Sequence, residues 1–93
     1  MVVGLCTVEL SLPDGHSLKA KRQVLSSLKT RLRGRFNISV AEVGDQDLWQ
    51  KAVLGIVCIA NETGRVNRVL DQVLNAIRAN PLLELLQSRI EML

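Results

Sequence analysis

Residues 52–81, "AVLGIVCIANETGRVNRVLDQVLNAIRANP", contain the pattern that decides the fold of this chain. The first nine residues are almost continuously apolar, as expected of a central β-strand that is covered on more than one side. The apolar residues that follow recur at helical spacing, and they are Val66, Val69, Leu70, Val73, Leu74 and Ile77. This spacing predicts an amphipathic helix after the strand. We expect Asn61 or Thr63 to cap its start, and Asn80 with Pro81 to end it.

Two strands and a helix are predicted before this segment. Residues 2–12 alternate apolar and polar side chains, which indicates a half-buried strand. Pro13 to Gly15, "PDG", has the composition of a turn, and Ser17 can cap a helix over residues 18–34. A second alternating segment, "FNISVAEV" at residues 36–43, predicts the next strand.

The last residues, 82–93, read "LLELLQSRIEML" and predict a final strand, although a short helix could come first. The element order is then strand, helix, strand, strand, helix, strand. This order predicts an α+β fold, a ferredoxin-like βαββαβ sandwich in which two helices cover one face of an antiparallel four-stranded sheet. Residues 1–93 are long enough for a single domain of this kind.

The predicted third strand is apolar on both of its sides. Leu54, Ile56 and Cys58 alternate with Val53, Val57 and Ile59. Because both helices lie on one sheet face, the opposite face would be bare in a monomer. We therefore expect a partner there, most simply a second copy in a two-fold homodimer.

The amino-acid composition limits the classes of protein to which this chain can belong. The chain is 47% hydrophobic but has one Phe, one Trp and no Tyr, so its core must be aliphatic. No apolar run approaches the roughly 20 residues of a membrane span, and the N-terminus lacks signal-peptide features, so a cytoplasmic location is expected. Cys6 and Cys58 have no CxxC spacing and are predicted to be buried thiols; we predict no metal site and no cofactor.

Positive charge is concentrated in one part of the chain. Between His16 and Phe36 there are seven basic residues and no acidic one, whereas the rest of the chain has five basic and nine acidic residues. This asymmetry indicates which face a polyanion would approach.

The predicted first helix arranges this charge as a ridge. At 100° per residue, four basic side chains fall within about 80° of one another around the helix, those of Lys19, Arg22, Lys29 and Arg33. Lys21, Arg31 and Arg35 lie nearer the buried side, and their charged heads are expected to extend outward. The predicted RNA-binding residues are Lys19, Lys21, Arg22, Lys29, Arg33 and Arg35. A solvated face without a ligand is the alternative to contact with an RNA backbone.

An acidic cluster, Glu42, Asp45 and Asp47, lies next to Trp49. A calcium loop would need a longer series of oxygen ligands, so we favour a tight hairpin corner closed by the tryptophan ring over a metal or acid/base site. A buried ring predicts that Trp49→Ala costs about 3–5 kcal/mol. With Phe36 and Trp49 in the core, base stacking on the sheet face is disfavoured.

Enzymatic alternatives find little support. An acylphosphatase-like hydrolase needs an arginine in the loop after the first strand, and "LPDGHSLK" at residues 12–19 has none. His16 has no nucleophile partner in the sequence pattern. We predict a protein that is not an enzyme. A homodimeric module that binds proteins or small ligands, of the ACT type, is the alternative to RNA binding.

Three motifs resemble a known family. They are "LKAKR" at residues 18–22, "RFNISVAEV" at 35–43 and "DQDLWQKA" at 45–52. Together they resemble the YlxP-like family of small bacterial proteins, and the similarity extends over nearly the whole chain. The resemblance implies a ferredoxin-like fold and association with RNA or the ribosome in maturation or translation, without catalysis. The family offers no binding residues to transfer to this chain.

Overall fold

Six elements follow one another along residues 1–93 of the computed structural model. They are β1 (Val2–Ser11), α1 (Leu18–Arg35), β2 (Ile38–Gly44), β3 (Lys51–Ala60), α2 (Thr63–Arg78) and β4 (Glu84–Met92). The predicted βαββαβ order is confirmed. The last segment forms a strand rather than a helix, because its residues pair with β1 from Gly4 to Ser11.

The four strands form one sheet in the order β2-β3-β1-β4, and every neighbouring pair is antiparallel. The central strands are therefore β1 and β3, as the apolar run of β3 predicts. Cys6 pairs with Ile56, and Cys58 pairs with Gly4, so the two cysteines lie on neighbouring strands.

One hydrophobic core lies between the sheet and the two helices. It contains 18 buried residues, contributed by alternate positions of β1 and β3, by one side of each helix, and by Leu12, Val40 and Leu83. The helix α2 packs closely on β1, since a Cβ atom added at Gly4 would collide with the side chain of Val66. Both helices thus cover the same face of the sheet, and the other face stays open.

The ends of α2 differ in part from the prediction. Glu62 is its N-cap and makes no side-chain capping hydrogen bond, so the expectation that Asn61 or Thr63 caps the helix is wrong. At the other end, the Asn80 side chain accepts a hydrogen bond from the Leu82 backbone N–H at 2.9 Å. This bond forms the turn that leads from α2 into β4.

Candidate nucleic-acid interface

The helix α1 positions the basic residues. Ser17 caps it, since its hydroxyl accepts a hydrogen bond from the Ala20 backbone N–H at 3.0 Å. Leu25, Leu28 and Leu32 are buried against the sheet and fix the rotation of the helix about its axis. The opposite side therefore faces solvent.

We call the outward side of α1 the basic face, which consists of Lys19, Arg22, Lys29 and Arg33. Lys19, Arg22 and Arg33 are exposed, and Lys29 is half-buried. Ser26 and Thr30 are exposed on the same helix. Lys19, Arg22, Ser26 and Thr30 line one shallow depression with Gln23, Ser27 and Arg31. The depression therefore contains cationic groups and hydroxyl donors and no carboxylate.

Few of the basic side chains have acidic partners within the chain. Of the 12 lysines and arginines, only Lys21 and Arg89 lie within 4.0 Å of a carboxylate. Every residue of the basic face is therefore without an ion pair. Arg33 also donates a hydrogen bond to the Val40 carbonyl oxygen of β2 at 2.8 Å, which holds its guanidinium beside the edge of the sheet.

The position of the Lys21 side chain differs from the sequence prediction. We expected its charged head to extend outward, but its side chain is 1% exposed. Its Nζ donates hydrogen bonds to the carbonyl oxygens of Asp45 at 2.6 Å and Leu48 at 2.7 Å. The Glu42 Oε2 atom lies 2.9 Å from Nζ as an ion pair without an aligned hydrogen bond. Lys21 is therefore a structural residue and does not belong to the basic face.

The acidic cluster forms the corner between β2 and β3. Asp45 has a φ of 57°, a left-handed conformation that Asp tolerates better than most residues. Its carbonyl also accepts a hydrogen bond from the Leu48 backbone N–H at 3.0 Å. The corner packs tightly on the turn before α1, since a Cβ atom at Gly15 would lie 2.7 Å from the Trp49 carbonyl oxygen. The predicted hairpin corner is confirmed, and the ammonium of Lys21 is the cation that it encloses.

The exposure of Trp49 also differs from the sequence prediction. Its side chain was expected to close the corner over the core, but Trp49 is 53% exposed, and the neighbouring Leu48 is 48% exposed. The buried side chain at this corner is that of Lys21, which is 1% exposed. Phe36 is partly buried against the core, as expected, and the Arg35 guanidinium lies 5.0 Å from the centre of its ring.

Other candidate chemistry is limited. No group of three or more His, Cys, Asp or Glu side chains is arranged to hold a metal ion. Cys6 and Cys58 are buried and form no disulfide, as predicted. Burial raises the pKa of both thiols; the Asp71 carboxylate adds to the rise at Cys6, and Arg65 opposes it at Cys58. Both thiols are therefore poor nucleophiles at neutral pH.

The open face of the sheet carries apolar side chains at its centre. Val57 and Ile59 of β3 are exposed, Ile59 by 49%, and their partners on β1 are Leu5 and Val3. This confirms that β3 is apolar on both sides. The strand β4 adds a polar border on which Arg89 and Glu91 form an ion pair at 2.7 Å.

Comparisons with known proteins give the family. Residues 3–90 match the family described as "Protein of unknown function (DUF503)". The chain belongs to the DUF503 family. A relative from Bacillus subtilis (strain 168), described as "Uncharacterized protein YlxP", is 34% identical over 90 residues, which cover 97% of this chain and 98% of the relative. The resemblance of the sequence motifs is thus confirmed, whereas association of this DUF503 member with RNA stays a prediction.

Sequence reasoning missed two features of this DUF503 chain. Lys21 precedes Leu25, Leu28 and Leu32 at the spacing of the buried stripe, which was a signal that its stem is buried. The second feature is a pocket lined by both Arg35 and Arg65. It had no local sequence signal because 30 residues separate the two arginines.

Neither helix is both long and apolar enough to cross a bilayer.

Proposed function

We propose that this chain is a non-enzymatic, cytoplasmic RNA-binding protein whose basic face contacts the phosphate backbone of structured RNA, such as ribosomal RNA. One observation carries the proposal. Four basic side chains lie on one side of a rigid helix, and none of them has a carboxylate partner in the chain. Cations that have no carboxylate partner within the fold are available to a polyanion.

The arrangement suits a backbone more than a single small phosphate. Lys19 and Arg33 are 14 residues apart on α1, which corresponds to about 21 Å along the helix axis. Ser26 and Thr30 lie within this span, and their hydroxyls can donate hydrogen bonds to phosphate oxygens. Contacts of this type bind with little sequence preference and weaken as salt displaces them.

The test is binding of fluorescently labelled ribosomal RNA fragments, and of ribosomal subunits, across a series of salt concentrations. The test variant changes Lys19, Arg22, Lys29 and Arg33 to Glu. A matched control changes Lys51, Arg68, Arg78 and Arg89 to Glu, which alters the net charge by the same amount on other surfaces.

We expect the wild type and the control to bind, with affinity falling as salt rises, and the test variant to lose binding. Equal loss in both variants would mean that net charge alone drives association. Absence of binding by the wild type at low salt would overturn the proposal.

A second candidate function follows from the open face of the sheet. Exposed Val57 and Ile59 favour a homodimeric interaction module in which a second copy covers this face. The sheet carries both signs of charge around these residues, Glu84, Arg89 and Glu91 on β4 and Lys51 at the start of β3. Two copies can therefore approach without the repulsion that two basic faces would have.

Sedimentation equilibrium tests the second candidate. We expect a dimer that Val57→Lys converts to a monomer, because a charge would be buried at the centre of the interface. Gln87→Lys, at the polar border, is the control and is expected to stay dimeric. A wild-type monomer at high protein concentration would contradict self-association. RNA binding by that monomer would leave the first proposal intact.

A further inference from the structure

A pocket of about 520 Å³ lies where the end of α1, the connection from α1 to β2, the end of β3 and α2 meet. Its volume is within the range of small-ligand sites, about 300–1,000 Å³. Half of its ten lining residues are apolar. The polar ones are Arg35, Asn37, Asn61, Arg65 and Gln72.

The charge of this pocket selects an anion. No acidic residue lines it, and neither Arg35 nor Arg65 has a carboxylate partner. Arg65 is in the first turn of α2, which contains no acidic residue. A guanidinium in that position adds to the positive end of the helix dipole, and the acidic residue at this end is the N-cap Glu62, which does not line the pocket. Two arginines that line one pocket without an acid suit a phosphate group.

The remaining polar groups match a nucleobase. The side chains of Asn37, Asn61 and Gln72 make no hydrogen bond within the chain, so their donors and acceptors are available. Side-chain amides pair with the edges of unpaired bases. The Arg35 guanidinium lies 5.0 Å from the centre of the Phe36 ring, and both residues line the pocket.

The pocket lies at the C-terminal end of α1, beyond the end of the basic face. Arg35 lines the pocket and follows Arg33, the last residue of the basic face, by two positions, which places it about 200° further around the helix. A strand of RNA held along α1 would therefore have to turn around the C-terminal end of the helix to reach the pocket. Cys58 lines the pocket but is only 3% exposed, so the lining supplies recognition rather than a reactive group.

We propose that this pocket binds one unpaired nucleotide of an RNA chain, with its phosphate on Arg35 and Arg65 and its base against the amides of Asn37, Asn61 and Gln72. The identification of the ligand as RNA rests on the proposed function. The pocket gives that function a preference for RNA with a bulge, loop or free end, which contact with the basic face alone would not provide.

The experiment uses single-stranded RNA trinucleotides, which are too short to span the basic face, together with inorganic phosphate as a second probe. Binding is followed by ¹H–¹⁵N NMR, in which the side-chain amides of Asn37, Asn61 and Gln72 report on the pocket directly. The variants are Arg65→Gln and Asn61→Ala, and both residues are exposed, so the fold is expected to persist. Arg78→Gln, on the last turn of α2 and outside the pocket, is the matched control.

We expect at least one trinucleotide to shift these amide signals, and Arg65→Gln to weaken its binding by about tenfold or more. Asn61→Ala should weaken the trinucleotide but not inorganic phosphate, and Arg78→Gln should change neither. Equal responses to phosphate and to trinucleotides would reduce the pocket to an anion site and overturn the proposal.

No shift with any trinucleotide would also overturn it, whatever the result with longer RNA. Failure of this inference and failure of the proposed function are distinguishable. Loss of binding to structured RNA when the basic face is changed tests the function, whereas the trinucleotide tests the pocket alone.

Discussion

Lys21 and Arg22 are neighbours in the sequence, yet they belong to two regions of opposite character. Lys21 is buried in the corner between β2 and β3 and contacts two carbonyl oxygens and a carboxylate. Arg22 is exposed on the basic face and has no acidic partner. A rotation of about 100° around the helix separates them.

The difference shows how one kind of charge serves either the fold or a partner. A buried ammonium is tolerated only when polar groups replace its water, and the corner supplies three of them. The basic face has no carboxylate partner inside the chain, and of its four residues Arg33 alone donates an internal hydrogen bond, to the Val40 carbonyl. A count of positive charge along α1 therefore overstates the surface that is available to a ligand.

The largest expected effect is the loss of stability when the buried Lys21 is replaced. Lys21→Met keeps the stem but leaves Glu42 and two carbonyl oxygens without their donor, so we expect the free energy of unfolding to fall by about 3–5 kcal/mol. Urea denaturation followed by circular dichroism measures it. Arg22→Met, on the exposed side, should change stability by no more than about 0.5 kcal/mol. Equal losses in the two variants would contradict the contrast.

A substitution at Trp49 tests how much of the corner is exposed to solvent. Because its side chain is half exposed, we expect Trp49→Ala to lower the free energy of unfolding by about 1–2 kcal/mol, less than the cost expected of a buried ring. Leu54→Ala, in the core, should cost about 2–5 kcal/mol in the same urea titration. A greater loss from Trp49→Ala than from Leu54→Ala would show that the ring is buried in solution.

Arg33 belongs to both regions, since it is part of the basic face and donates to the Val40 carbonyl. We expect Arg33→Gln to lower stability by only about 0.5–1 kcal/mol, because water can replace the lost donor at this exposed position. Its effect on RNA affinity should equal that of Arg22→Gln. If Arg33→Gln leaves RNA affinity unchanged, the guanidinium serves the sheet edge alone.

The smallest expected effect concerns the buried cysteines. An unfolded thiol ionises near the ordinary pKa of 9.0, whereas burial raises the pKa of Cys6 and Cys58 in the folded state. The folded chain therefore holds more protons above this pH, and stability should decline as pH rises through and beyond about 9. Urea titrations at pH 8 and pH 10 measure the decline. A Cys58→Ala variant should show a smaller decline, and an identical one would contradict the assignment.

The sequence was sufficient for the fold because its signals are local. Two-residue alternation in β1 and β2 and helical spacing in α2 follow from which face of each element is buried. The errors arose where distant segments meet. Lys21 finds its carbonyl partners 24 and 27 residues away, and Trp49, which was expected to be buried at the same corner, is half exposed.

The candidate site was likewise predictable only in part. The basic face could be placed by helical geometry, since Leu25, Leu28 and Leu32 determine which side of α1 is buried. The pocket could not, because Arg35 and Arg65 come together only through the packing of α1, β3 and α2. No periodic pattern reports such a meeting point.

The most direct test of the central claim compares the salt dependence of RNA binding for the wild type, Arg22→Gln and Lys21→Met, at a temperature where circular dichroism shows all three folded. The slope of log affinity against log salt reports the number of phosphates that are neutralised. We predict that Arg22→Gln reduces the slope by about 0.7–0.9, whereas Lys21→Met leaves it unchanged. Equal slopes for the wild type and Arg22→Gln, or a reduced slope for Lys21→Met, would contradict the assignment of RNA binding to the exposed side of α1.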